Sequence, residues 1–371
     1  MTPYLSYYKK MSTTNIKNIH IAAGGTGGHI SPAVSLSEEL ATNPKINITF
    51  WTLKKNLDYP DILSLKAIKN VSVRTYLAPK IPRNPMALFR FIANFRNTFS
   101  LINQENKKVK IDACVGFGGF PSFPLVLWAR RKKVDYYLCE QNAHWGKITK
   151  LMAPKAKKIF LSFLKTTGKA SSNELFSGNP ICKKFHSFNK KIRLKKVKTI
   201  VDIKILIMGG SQGADDLNQL YLAMLADPLL SQASFTVITG AKNFVKIKPL
   251  VRTSDKVISF SNDVPTELLS HHVIFSRSGS GSVYEICWAK IPSVFFPYPH
   301  ATDDHQRKNA LALVNLDVAK MIDLRPFEVA VALKELKSTL TPQMLLKMKQ
   351  AWNQHVLPLD AHKKIAKVIL K

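Results

Sequence analysis

Two glycine turns, starting at Gly24 and Gly209, lie 185 residues apart, and each closes a short apolar run. Ile19-His20-Ile21-Ala22-Ala23 leads into Gly24-Gly25-Thr26-Gly27-Gly28-His29. Ile205-Leu206-Ile207-Met208 leads into Gly209-Gly210-Ser211-Gln212-Gly213-Ala214. Each pattern predicts a buried strand, a tight turn and a helix. Such a turn aims backbone N–H groups and a helix N-terminus at one point, which suits a phosphate or diphosphate. Two of them, each beginning its own half of the chain, predict an α/β protein with two Rossmann-like parallel-sheet domains facing a central cleft. That layout suits an enzyme that holds a nucleotide in one half and an acceptor in the other.

A chain of 371 residues, 46% hydrophobic, has material for two cores of ordinary size. No apolar stretch is long enough to predict a membrane-spanning helix. Residues 1–16 look like a floppy leader without a signal-peptide core. Cys114, Cys139, Cys182 and Cys287 share no metal-type spacing, so a reduced cytoplasmic chain without disulfides is expected. The net charge of +31 points to an acidic partner: nucleic acid, anionic lipid or a phosphorylated substrate. It is concentrated between Lys183 and Lys204, with nine Lys or Arg against the single acid Asp202, and in Arg130-Arg131-Lys132-Lys133.

Strands are expected at 19–23, 46–53, 71–76, 111–117, 136–140 and 159–163, the last closing the first domain. Further strands are expected at 203–208, 235–239, 257–260, 273–276 and 293–297. Helices are expected at 32–42, 214–226, 265–270 and 282–289, and through 326–371 with breaks near Pro342 and Pro358. Between Pro85 and Ile102, Phe89, Phe91, Phe95 and Phe99 recur at helical spacing among arginines. Such a stripe serves a core or a membrane surface, and periodicity alone leaves both open. The domain plan is residues 1–182, a basic linker 183–202, a second domain 203–340, and C-terminal helices 341–371 packing back on the first domain.

Polar residues gather where strands end, which is where open α/β sheets bind ligands. His29 follows the first strand, and Gly116-Phe117-Gly118-Gly119 and Glu140-Gln141-Asn142 follow two others. In the second half, Arg277-Ser278-Gly279-Ser280 precedes a helix carrying Glu285, and His305-Gln306 lies beyond the last strand. Serines and glycines before a helix offer N–H groups to phosphates. A carboxylate one turn into that helix can take both ribose hydroxyls. No Gly-Lys-Ser/Thr P-loop is present. His271-His272 and Asp303-Asp304 lack a third ligand in sequence, so no metal site is predicted.

These motifs, in this order, resemble the bacterial MurG family of cell-wall glycosyltransferases. The matching stretches are Gly24 to His29, Gly116 to Phe120, Glu140 to Asn142, Gly178-Asn179-Pro180, Gly209 to Ala214, Ser276 to Gly279 with Glu285, and His305-Gln306 with Asn309-Ala310. The resemblance implies the GT-B fold, with UDP-N-acetylglucosamine in the second half and lipid I in the first. It implies inverting transfer of N-acetylglucosamine to the 4-hydroxyl of the acceptor's N-acetylmuramic acid, giving lipid II at the cytoplasmic face of the inner membrane. By that likeness the donor meets Thr26, Gly27, Gly28 and Asn142 from the first half. From the second it meets Ser211, Gln212, Ser261, Ser280, Glu285, His305 and Gln306. Gly24, Gly25, Gly118, Gly119 and Lys183 receive the acceptor diphosphate. His29 is the candidate base, with Asn142 and Glu140 beside it. No cofactor is required, a divalent cation being at most accessory. The anionic membrane surface and other cell-wall synthesis proteins are the further partners implied, and nucleic acid is not among them.

The likeness departs from the family at three places. Cys182, followed by Lys183, stands where the family has arginine. The stretch 54–70 lacks the usual glycine-and-glutamate pattern, and the turn after Arg277 has serine and glycine where an alanine is usual. Rival readings are a GT-B enzyme acting on another lipid, a UDP-sugar epimerase of the same fold, and a basic nucleic-acid-binding protein.

Overall fold

The computed structural model describes residues 16–25, 27–76, 85–168, 172–188, 197–210 and 213–371. Its first half runs β1 (Lys17–Ala22), α1 (Gly27–Ala41), β2 (Ile46–Leu53), α2 (Pro60–Lys66), β3 (Val71–Tyr76) and α3 (Pro85–Lys108). It continues through β4 (Ala113–Gly116), α4 (Gly119–Lys132), β5 (Asp135–Glu140), α5 (Lys147–Met152), β6 (Lys158–Leu161), β7 (Glu174–Phe176) and α6 (Lys183–Ser187). These seven strands form one parallel sheet in the order β3-β2-β1-β4-β5-β6-β7. The order reverses between β1 and β4, which opens a crevice at their carboxyl ends.

The second half repeats the plan with β8 (Lys204–Met208), α7 (Asp215–Ala226), β9 (Ser234–Ile238), α8 (Ala241–Ile247), β10 (Lys256–Ile258), α9 (Val264–Leu269) and β11 (Val273–Ser276). Then come α10 (Ser280–Ala289), β12 (Ser293–Phe295), α11 (His305–Val314), β13 (Ala319–Met321), α12 (Val329–Thr339), α13 (Pro342–Ala351) and α14 (Ala361–Leu370). The sheet is parallel, in the order β10-β9-β8-β11-β12-β13, and its crevice lies between β8 and β11. β8 and β11 are buried on both faces, as their apolar runs Ile205-Leu206-Ile207 and Val273-Ile274-Phe275 require.

Several expectations are corrected here. α1 starts at Gly27, five residues before the predicted 32, so His29 lies in its first turn. Pro32 costs one hydrogen bond, to the Gly28 carbonyl, but its ring is buried. β6 is not the last strand of its sheet, because the three-residue β7 lies on its outer edge. α8, α11 and β13 were not expected; they are short, or carry polar faces that hide the period. The basic run is not featureless: Lys183–Ser187 form a turn of helix around the buried Phe185, while 189–196 lie outside the described residues.

The phenylalanine stripe divides between the two roles that periodicity left open. Phe91, Phe95 and Phe99 form a ladder that meets Phe120 and Phe123 of α4. Phe89 and Ile92 stay outside, 75% and 46% exposed. Among the described residues no helix is long and apolar enough to cross a membrane.

α13 buries Leu345 and Met348, and Leu345 joins the core of the second half. α14 instead returns to the first half. Ala361, Ile365, Ala366 and Ile369 enter the core that holds Ile19, Ile30 and Val34. Lys17 Nζ caps the Leu370 carbonyl at 2.9 Å. Ile365 is 1% exposed. Truncating it should cost the first half about 2–5 kcal/mol through lost burial and a cavity. Ile365→Ala should therefore speed amide exchange in β1 and α1 while leaving β8 and β11 unchanged. Equal acceleration in both sheets would contradict this division of the core.

Candidate active site

Three loops meet over the β1/β4 crevice. The Gly24–Gly25 turn closes on α4, where a Cβ at Gly24 would stand 3.0 Å from Pro121 Cβ. Gly118 has φ 59° and ψ −175°, a conformation open essentially to glycine alone. It is also boxed in: a Cβ there would stand 3.0 Å from Gln141 Oε1 and 3.3 Å from His29 Cδ2. The glycines thus let His29, the Gly118–Gly119 turn and the loop after β5 come into mutual contact. The N-termini of α1 and α4, starting at Gly27 and Gly119, border the same space.

His29 is half-buried in this cluster. Burial pushes its imidazole down to about 4, and His305, reaching from the second half, pushes in the same direction. The ring is therefore neutral at pH 7. Glu140 is 2% exposed, and its loop occupies both oxygens. Oε1 accepts the Asn142 N–H at 3.2 Å; Oε2 accepts the Gly146 N–H at 2.9 Å and the Thr149 hydroxyl at 2.6 Å. Burial raises its carboxyl while these bonds oppose the rise. Glu140 is placed to shape the 142–149 loop.

The second half presents its own strand-end groups. Ser278 is buried with an unpartnered Oγ, and Ser280 opens α10. Arg277 braces the turn from beneath, donating to the Phe296 and Pro297 carbonyls at 2.8 and 3.1 Å and to the Asp216 carboxylate. Glu285 lies on α10 with partial exposure; burial raises its carboxyl to about 7, helped by Asp61 from the first half. Ser261 Oγ accepts the Asp263 N–H at 3.2 Å, and Asp263 caps α9. His305 Nδ1 lies 2.7 Å from the Thr302 carbonyl, which leaves Nε2 for a ligand. Gln306 Oε1 accepts the Tyr298 N–H at 3.0 Å, which leaves its NH2.

The predicted residues thus fall on both walls of one cleft, with exceptions. Lys183 is exposed at the start of α6, and its charge is felt by Glu38. Glu38 lies nine residues along α1 from His29, about 14 Å at 1.5 Å per residue, so Lys183 is not brought to the Gly118–Gly119 turn. Thr26, Ser211 and Gln212 lie outside the described residues. Gln141, Asn179 and Asn309 were not singled out as site residues. Gln141 Oε1 is buried without a partner at Gly118, and Asn179 is buried with both side-chain polar atoms unpartnered. A Gly-Asn-Pro turn signals backbone punctuation, so nothing in the sequence marks that second feature. Among the described residues no group of three or more His, Cys, Asp or Glu could hold a metal.

Residues 19–161 match the glycosyltransferase family 28 N-terminal domain and residues 204–368 its C-terminal domain. A UDP-N-acetylglucosamine--N-acetylmuramyl-(pentapeptide) pyrophosphoryl-undecaprenol N-acetylglucosamine transferase of Leptospira interrogans is 32% identical, over 80% of this chain and 82% of its own. The same-named protein of Chlorobium phaeobacteroides is 31% identical, over 82% and 85%. Among solved structures, Acinetobacter baumannii MurG superposes with a TM-score of 0.74 at 23% identity, covering 95% of this chain and 99% of that one. A UDP-N-acetylglucosamine 2-epimerase superposes at 0.61 with 15% identity, covering 95% and 96%. The two-domain fold is thus shared between different chemistries.

Gly118→Ala tests the packing of the cluster. The new methyl must displace His29 or Gln141, and the backbone strain costs about 1–3 kcal/mol. The His29 imidazole should then titrate closer to the ordinary 6.5 than to about 4, as followed by ring-nitrogen NMR. An unmoved titration would show that His29 does not depend on this turn.

Proposed function

The chain belongs to glycosyltransferase family 28, among the bacterial transferases that carry N-acetylglucosamine to undecaprenyl-linked N-acetylmuramyl-pentapeptide, and we propose that it catalyses that transfer from UDP-N-acetylglucosamine to lipid I. The observation that carries the proposal is the confrontation of two strand-end crevices: glycine turns and His29 on one side, the Ser278–Ser280 turn, Glu285 and His305-Gln306 on the other. The second half takes the donor. α10 offers its N-terminal N–H groups to the diphosphate, and Glu285 accepts both ribose hydroxyls. His305 and Gln306 meet the sugar. The first half takes the acceptor, its diphosphate lying over the Gly24–Gly25 and Gly118–Gly119 turns.

The 4-hydroxyl attacks the anomeric carbon, the bond from that carbon to the UDP oxygen breaks, and the configuration inverts. Rate comes from orientation and from stabilising the departing diphosphate. His29 is assigned to the hydroxyl proton. An imidazole at about 4 is a weak acceptor in the free protein. An acceptor diphosphate bound over the adjoining turns would favour the imidazolium and strengthen it. No step needs a cofactor in this reading. Phe89 and Ile92, beside the exposed Arg90, are assigned to the anionic membrane surface that carries the acceptor.

Three outcomes test this reading. UDP-N-acetylglucosamine with a short-chain lipid I analogue should yield UDP and the disaccharide product by mass spectrometry, and absence of both would overturn it. Donor affinity should depend on the ionisation of Glu285. With that group near 7, lowering the pH from 8 to 6 protonates it and should weaken UDP-N-acetylglucosamine binding about tenfold. The donor's diphosphate stays ionised throughout this range. Glu285→Gln should weaken binding by about 10- to 100-fold and flatten the profile, as calorimetry would show. Replacing Phe89 and Ile92 together by aspartate should reduce sedimentation with phosphatidylglycerol vesicles at least about tenfold, and unchanged sedimentation would remove α3 from the membrane contact.

A further inference from the structure

Asn309 is 0% exposed, yet its side chain reaches across the boundary between the halves. It lies on α11, four residues after His305 and so one turn along the same helix face. Its Oδ1 accepts the Ala143 N–H at 2.8 Å. Its Nδ2 donates to Asn142 Oδ1 at 3.1 Å and to the Ser278 carbonyl at 3.1 Å. A primary amide has one acceptor oxygen and two N–H donors, and all are engaged here. Two of the partners belong to the loop after β5 in the first half. The third belongs to the turn before α10 in the second.

We infer that Asn309 is a positioning residue that latches the acceptor-side loop to the donor-side turn and fixes which way round the Asn142 amide sits. Because Asn142 Oδ1 is turned to Asn309, its NH2 is the end turned back to the Glu140 carboxylate. The backbone of Asn142 is held separately, by Glu140 Oε1. One residue is thereby clamped from both domains, its main chain and amide NH2 by Glu140 and its amide oxygen by Asn309. The latch couples the two substrates: the Ser278 turn assigned to the donor diphosphate and the loop beside His29 keep register through one side chain. This role in transfer rests on the reading given under Proposed function; the latch itself rests on the three hydrogen bonds.

No other side chain reproduces the pattern. Asn309→Asp keeps an acceptor for Ala143 but sets a carboxylate oxygen against Asn142 Oδ1 and the Ser278 carbonyl. Asn309→Ala loses all three bonds and leaves the Ala143 N–H, in a residue 4% exposed, without its acceptor. The experiment measures Ala143 amide exchange and transfer kinetics on full-length protein, with Asn142→Ala and the double variant alongside. In Asn309→Ala, exchange at Ala143 should rise at least tenfold. In Asn309→Asp it should stay within about threefold of the parent, while kcat falls about 100-fold in both. The double variant should be no more than about threefold worse than Asn142→Ala, because Asn309 acts through Asn142. Unchanged Ala143 exchange in Asn309→Ala overturns the latch, and fully multiplicative losses overturn the action through Asn142. If the parent protein forms no product, the functional reading fails instead, and the exchange data still decide the latch.

Discussion

The seam between the two halves is apolar, and the cleft depends on it. Ala143, Phe163, Ile181 and Phe185 from the first half share one core with Leu206, Val283, Tyr284 and Trp288 from the second. Phe163 meets Tyr284 edge-on with ring centres 5.6 Å apart, and Phe185 meets Trp288 edge-on at 4.9 Å. The Tyr284 hydroxyl donates to the Ser162 carbonyl across the same boundary. A chain of net charge +31 repels itself, and ion pairs at such a boundary would weaken as salt rises. Buried rings do not, so the two crevices keep facing one another whatever ions surround them.

Within the cleft, burial rather than pairing sets the charge state. His29 is held neutral and Glu285 is brought near the working pH, in each case chiefly because surrounding protein removes water. Such groups respond strongly to whatever binds beside them. Under the proposed function, an acceptor diphosphate would draw a proton to His29, and ribose hydroxyls would favour the ionised Glu285.

Much of this was legible in the sequence, and for a definite reason. Strands such as Ile46–Leu53 and Val71–Tyr76 match their expected bounds because each is rich in β-branched and aromatic residues between turns. The family likeness, carried by the strand-end motifs, agrees with both domain matches. What was not legible depended on tertiary context. Pro32 suggested a late start for α1, but one lost hydrogen bond is outweighed by burial of the ring. β7 and β13 have three residues each and owe their existence to neighbouring strands. The stripe on α3 looked uniform, yet α4 covers Phe91, Phe95 and Phe99 and leaves Phe89 bare. Adjacent polar residues at Asn142 and Asn309 gave no sign of bonding to one another, because 167 residues separate them.

The chain passes between the halves twice, once through the segment that holds α6 and again before α14, and the stretches leading into these passages touch. Gly178 of the first has φ 82°, and a Cβ there would stand 2.4 Å from the Pro358 carbonyl of the second. A single tether would let one half swivel about any axis. Two tethers in contact behave like the paired leaves of a strap hinge, resisting twist and sideways slip while permitting rotation about one line. Opening and closing of the cleft is thereby confined to a single path, and each closure returns the loop after β5 to the same turn of α11.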